Sequence, residues 1–217
     1  MLPDWLLYLI TDRHHVGARG LPEAVADAIR GGVRAVQLRE KDLPVRSLIN
    51  LAHSLRALTA SVGARLLING RLDVMLAVDA DGIHLRSDSL PTRAVRGVIG
   101  PDKWLGVSTH SLQEVERAAD EGADFVTFGP VYETSSKAKY GAPTGLQGLE
   151  AVSRRARVPV YALGGITRVR IPEVMAAGAH GVALIAEIMS SRDVSSAAGA
   201  CLDAVRTATN SRSVDPR

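Results

Sequence analysis

Eight short apolar runs, most of them followed by an amphipathic helical stretch, predict an α/β fold: a single-domain (β/α)8 (TIM) barrel. Three observations lead there. The runs are mostly continuous rather than alternating, as in strands buried on both faces. A phrase of helix end, tight turn and new strand recurs at "GGVRAV", "DADGI", "EGADFV" and "AGAHGV", marking successive βα units. No G-x-G-x-x-G follows the first run, where "TDRHHVGARG" stands, which argues against the runner-up, an open doubly wound sheet.

In chain order the expected strands are "LLYLIT" (6–11), "RAVQLR" (34–39), "ARLLIN" (64–69), "GIHL" (82–85), "WLGVS" (104–108), "FVTFG" (125–129), "VPVYALGG" (158–165) and "GVALI" (181–185). Helical patterns such as "LPEAVADAIRGG", "LPVRSLINLAHSLRALTASVG" and "SLQEVERAADEGA" lie between them. Pro44 sits where a first-turn proline belongs and Gly63 where a C-cap glycine belongs. The barrel is expected over residues 1–208 with no linker, and the polar tail "TNSRSVDPR" (209–217) is expected to be disordered.

The bulk numbers exclude several classes. At 217 residues, 46% apolar and 23% charged, the chain has an ordinary globular composition and can bury a core without staples. The net charge of +3 is small and spread out, which reads as a solvated surface or a small anionic ligand rather than a nucleic-acid face. Cys201 is the only cysteine, so no internal disulfide or four-cysteine metal site is possible, and a reducing cytoplasm is expected. "MLPDWLLYLITDRHH" has no basic region before its short apolar run, so neither a signal peptide nor a membrane anchor is expected. Whether the chain self-associates as a homo-oligomer stays open.

Barrel enzymes build their sites at the C-terminal ends of the strands. After the second run stands "VQLREK": period two puts Gln37, Arg39 and Lys41 on one side and Leu38 and Glu40 on the other. A guanidinium fork beside an ammonium suits a phosphate, diphosphate or carboxylate. The sixth run opens into "GPVYETSSKAKYGAPTG" (129–145), long for a βα loop, whose Thr134, Ser135, Ser136 and Lys137 can grip an anion. "ALGGIT" (162–167) and "GVALIA" (181–186) belong to the last two strands, whose loops often bind phosphate through backbone N–H groups; Gly164 and Gly165 permit close approach. In "VSTHS", His110 stands beyond the fifth run with Ser108 and Thr109, where acid–base work is plausible. His84 lies inside a strand and reads as packed; His14 and His15 read as exposed loop residues.

One corner stands out. "LLINGRLDV" (66–74) runs from strand through Asn69 into a helix, with Gly70, which has no side-chain chemistry, at the turn. Together "VQLREK", "LLINGRLDV", "ADGIHL", "GVSTHSLQEV", "GADFVTFGPVYETSSK" and "ALGGI" match, in order, the segments of one superfamily. From about residue 6 to 190 the chain resembles thiamine phosphate synthase together with the TenI-type thiazole tautomerases.

The resemblance implies a barrel that handles phosphorylated intermediates of thiamine synthesis. In its synthase branch a pyrimidine methyl diphosphate is joined to a thiazole phosphate while Mg²⁺ neutralises the leaving diphosphate. That would place diphosphate- and pyrimidine-binding groups at Gln37, Arg39, Lys41, Asn69, Ser108, Thr134, Ser136 and Lys137. The synthases' two metal-binding aspartates, however, fall here at Gly70 and Ser89, with Asp88 one residue off. Mg²⁺ takes one or two carboxylates plus substrate phosphates, so the metal set is depleted. The tautomerase branch needs no metal: it moves a proton on a thiazole carboxylate phosphate. There His110 would be the acid–base group, with phosphate held by Gly164, Gly165, Ile185 and Ala186, the last two through backbone N–H groups, because synthases often have Ser where Ala186 stands.

The sequence therefore favours the tautomerase, an isomerase without cofactor. The synthase, a transferase using Mg²⁺, is the alternative, and a non-catalytic phosphate-ligand-binding or regulatory barrel is the third reading. The expected partner is a small phosphorylated thiazole, or a pyrimidine diphosphate under the alternative.

Overall fold

The computed structural model describes residues 2–86, 88–134 and 142–214. Eight parallel strands close in sequence order: β1 (Leu7–Ile10), β2 (Ala35–Leu38), β3 (Arg65–Asn69), β4 (Gly82–Leu85), β5 (Trp104–Thr109), β6 (Phe125–Phe128), β7 (Val160–Leu163) and β8 (Gly181–Leu184), with β8 sealing against β1. Around them run α1 (Leu21–Arg30), α2 (Val45–Ala60), α3 (Leu72–Ala77), α4 (Thr92–Ile99), α5 (Leu112–Asp120), α6 (Gly145–Arg155), α7 (Ile171–Ala176), α8 (Ala186–Met189) and α9 (Val194–Val214). Every expected strand is present, and the single-domain (β/α)8 barrel stands.

Strand alternation divides the core in two. Leu7 and Leu9, Val36 and Leu38, Leu66 and Ile68, Ile83 and Leu85 point outward to the helices. Tyr8, Ile10, Ala35, Leu67, Trp104, Phe125, Tyr161 and Ala183 fill the barrel. The helices meet the outer core with apolar stripes at helical spacing: α1 buries Leu21, Ala24, Val25, Ala28 and Ile29. Burying one such Leu or Ile is worth about 1.5–3 kcal/mol.

The recurrent helix–turn–strand phrase has a register function at the N-terminal mouth. Asp81, just before β4, accepts from the Leu66 amide of β3 at 2.8 Å and from Arg56 at 3.1 Å. Asp124, before β6, accepts from the Leu105 amide of β5 at 2.8 Å and from Arg96 at 2.6 Å. Each carboxylate ties the start of its own strand to the strand before it, at the end of the barrel opposite the C-terminal mouth.

The structure moves three expectations. The run 158–165 ends as strand at Leu163, because Gly164 (φ 102°) and Gly165 (φ 64°) turn out of extended backbone. Pro44 caps α2 from outside rather than sitting in its first turn. The tail expected to be disordered from 209 continues α9 as far as Val214; Thr209 bonds back to the Val205 carbonyl and Ser211 to that of Thr207. Extending an established helix fixes one residue per bond, so polar residues can follow it.

Candidate active site

The C-terminal mouth of the barrel holds a cavity of about 740 Å³. Gln37, Arg39, Lys41, Asn69, Ser108, His110, Thr134, Gly164, Gly165, Ile185 and Ala186, contributed by the ends of six strands and the turns after them, all line it. Ser136 and Lys137 lie outside the described residues. The cavity wall also includes Asp12, Arg86, Glu133, Arg170 and Glu187, to which the sequence reading gave no role, together with His15, read there as an exposed loop residue, and Asp88.

The grip at the end of β2 is held from behind. Glu40, on the opposite side from Arg39 and Lys41, is buried and accepts from Thr11 Oγ1 at 2.7 Å and from the Arg13 amide at 3.2 Å. Thr11 Oγ1 in turn accepts from the Arg39 amide at 3.0 Å. The alternation in "VQLREK" thus becomes a division of labour: cations face the cavity while the carboxylate anchors the segment to the end of β1.

Below the cavity runs a buried polar chain. Gln37 Nε2 donates to the Tyr8 hydroxyl at 3.0 Å, Tyr8 contacts His84 Nδ1 at 3.4 Å, and His84 Nε2 meets Ser108 Oγ at 3.0 Å. Burial pushes the Tyr8 phenol far above its usual range, with the Gln37 hydrogen bond a smaller opposing effect, so Tyr8 keeps its hydrogen. Having accepted from Gln37, Tyr8 donates to His84 Nδ1, and His84 Nε2 carries the hydrogen given to Ser108. His84 is a packed histidine, as expected, but it supports a cavity residue. Gly106 makes this possible: a Cβ there would lie 2.5 Å from both His84 Nδ1 and Phe125.

His110 is placed by local sequence. Ser111 caps α5 by accepting from the Glu114 amide at 3.2 Å, and the Glu114 carboxylate reaches back to the His110 amide at 2.7 Å, a variant of the capping box. His110 Nδ1 lies 2.5 Å from the Gly129 carbonyl. A carbonyl only accepts, so Nδ1 carries the hydrogen and Nε2 is the basic nitrogen of the neutral ring. His14 is exposed as expected, whereas His15 also reaches the cavity rim and bonds Ser190 at 2.9 Å.

At the ends of β7 and β8 the wall is backbone. Gly164 and Gly165 hold left-handed φ values, and a Cβ on Gly165 would meet the Glu133 carbonyl at 2.6 Å. Arg170 braces this turn, donating to the Gly165 carbonyl at 2.7 Å while lying 4.3 Å from the centre of the Tyr132 ring.

The corner after β3 does not fit a divalent cation well. Gly70 supplies no donor, and the Ser89 side chain closes its own turn on the Arg86 backbone, 3.1 Å from the amide and 2.9 Å from the carbonyl. Ser89 lines a separate small cleft rather than the main cavity. Asp88 reaches the cavity but is paired with Arg86 at 2.6 Å, and that guanidinium holds its carboxyl below the usual carboxylate range. Among the described residues no group of three or more His, Cys, Asp or Glu side chains is arranged to hold a metal ion, and no helix is long and apolar enough to cross a membrane.

A barrel whose strand ends present cations, hydroxyls and glycine turns to one cavity defines a class: a (β/α)8 barrel with a candidate anion site at its C-terminal mouth. The chain belongs to the thiamine monophosphate synthase family, whose model matches residues 7–188. A Geobacter sulfurreducens protein is 52% identical over 190 residues, 88% of this chain and 89% of its own. The thiamine-phosphate synthase of Moorella thermoacetica is 41% identical over 197 residues, 91% of this chain and 94% of its own. Among solved structures, the thiamine phosphate pyrophosphorylase of Pyrococcus furiosus superposes with a TM-score of 0.85 at 34% identity, covering 93% of this chain and 96% of its own. These similarities favour the synthase alternative and give the tautomerase reading no support, so the preference drawn from Gly70 and Ser89 is corrected here. Two missing carboxylates speak to metal use, and they do not by themselves identify the reaction.

Proposed function

We propose that the chain is a transferase that joins a pyrimidine methyl diphosphate to a thiazole phosphate, giving thiamine phosphate and free diphosphate. The observation that carries this is the presence of two anion grips in one cavity. One is Arg39 and Lys41 at the end of β2; the other is the Gly164–Gly165 and Ile185–Ala186 backbone at the ends of β7 and β8. Two phosphorylated substrates need two such places, and the similarity to thiamine-phosphate synthases supports the pairing.

In this reading the bond between the pyrimidine methylene carbon and the diphosphate oxygen breaks, and its electron pair leaves with the diphosphate. The lone pair of the thiazole nitrogen forms the new carbon–nitrogen bond, leaving a thiazolium. Arg39 and Lys41 stabilise the charge that grows on the departing oxygens. The Gln37–Tyr8–His84–Ser108 chain fixes the Ser108 hydroxyl that orients the pyrimidine, and the glycine turn positions the thiazole phosphate.

The second reading, thiazole tautomerase, retains one observation: His110 lines the cavity with Nδ1 pinned and Nε2 basic. The test supplies each substrate set separately to the purified full-length chain. Formation of thiamine phosphate from the pyrimidine diphosphate and thiazole phosphate is expected. Turnover only of the non-aromatic thiazole carboxylate phosphate, abolished in His110→Ala, would reverse the order of the two readings.

A further inference from the structure

Between β3 and β4 this chain carries positive charge where its family pattern implies a metal. His84 points into the barrel, where it meets Tyr8 and Ser108, and alternation puts Arg86 on the same side. Asn69 pairs with His84 across the two strands, and the Gly70 amide donates to the His84 carbonyl at 2.9 Å. Arg86 therefore follows immediately beside the Asn69–Gly70 turn, and it lines the cavity. A Cβ built on Gly70 would meet nothing within 4 Å. The corner has room, no carboxylate of its own, and a guanidinium at its edge.

We infer that Arg86 takes the place of the divalent cation, holding the ligand's diphosphate at this corner without a metal. The inference rests on the diphosphate substrate proposed above. Asp88, the carboxylate in the β4–α4 turn, is paired with Arg86, so a cation there would compete with the guanidinium for its one carboxylate. A guanidinium offers a planar fork of donors that matches phosphate oxygens, which a glycine and a serine cannot. The Arg86 and Asp88 side chains are 48% and 62% exposed, and ion pairs that open to water contribute little. Asp88 holds the guanidinium at the cavity rim, within reach of a ligand's phosphate oxygens. Arg39, Lys41 and Arg86 then surround the leaving group with charge supplied by the chain itself.

Inorganic diphosphate titrated calorimetrically into the full-length protein in EDTA tests this. The parent is expected to bind, with little gain on adding Mg²⁺. Arg86→Gln is expected to weaken binding roughly 10- to 100-fold, the range of a lost charge-assisted hydrogen bond. Arg86→Lys should recover part of the loss, because it keeps the charge without the fork. Arg93→Gln, the same charge change on the exposed face of α4, should bind like the parent. Equal affinity of Arg86→Gln and parent, or parent binding only with Mg²⁺, overturns the inference. Arg86-dependent binding without thiamine phosphate formation supports the inference and overturns the proposed reaction. Coupling that demands Mg²⁺ overturns the inference and leaves that reaction standing.

Discussion

The lower and upper halves of the barrel interior are both built from inward-facing strand residues, and one is chiefly aromatic where the other is polar. Below, Trp5, Tyr8, Trp104, Phe125 and Tyr161 pack edge to face, with Trp5 and Trp104 centred 4.6 Å apart and Phe125 lying 5.5 Å from both Tyr8 and Tyr161. Above, strands β2 to β6 present Gln37, Asn69, His84, Ser108 and Thr127. Strand β6 makes the step within three residues, from Phe125 in the plug to Thr127 beneath the cavity. Tyr8 joins the halves: its ring belongs to the plug and its hydroxyl to the polar chain. Alternation decides which residues face inward, and position along the strand decides whether they pack or bind.

The largest test of this contrast is Phe125→Ala. It opens a cavity in the plug and should cost about 3–5 kcal/mol in denaturant unfolding. A loss below about 1 kcal/mol would mean that the plug does not carry the packing assigned to it. The converse change is Arg39→Ala. It should lower kcat/KM for coupling by roughly a hundredfold while changing stability by less than about 0.5 kcal/mol. A stability loss as large as that of Phe125→Ala would erase the distinction between the halves.

The smallest expected effect concerns His180, packed at 5.3 Å against Tyr161 below the plug. Burial lowers its pKa from the ordinary 6.5, partly opposed by a hydrogen bond with the Pro3 backbone. The folded imidazole therefore stays neutral to lower pH than the unfolded one. Its contribution is complete above about pH 6.5 and shrinks as pH falls and the unfolded chain takes up the proton. Urea unfolding at about pH 7.5 and 5.5 should show a loss that His180→Phe reduces. Parallel losses in parent and variant would assign the acid sensitivity elsewhere.

Much of this molecule is legible from local order. Continuous apolar runs mark strands covered on both faces, and period two in "VQLREK" separates Arg39 and Lys41 from Glu40 without any knowledge of the fold. "THSLQE" contains the cap that places His110. Arg86 was within reach of the same rule, being two residues beyond an inward His84, but a single arginine after a strand end carries no signal until the strand beside it is known.

Sequence alone determined the barrel and many of the residues that line its mouth, because those follow from hydrophobic period and turn chemistry, which act over a few residues. Tertiary structure decided the rest. It gave Gln37 to Tyr8 and His84 to Ser108, turned Ser89 back on its own loop, and set Arg86 beside the empty Gly70 corner. The first two contacts join residues 29 and 24 positions apart, and the others depend on turns whose direction their neighbours impose. Such partners are chosen by closure of the barrel, which brings strand ends together only after each strand has already been specified.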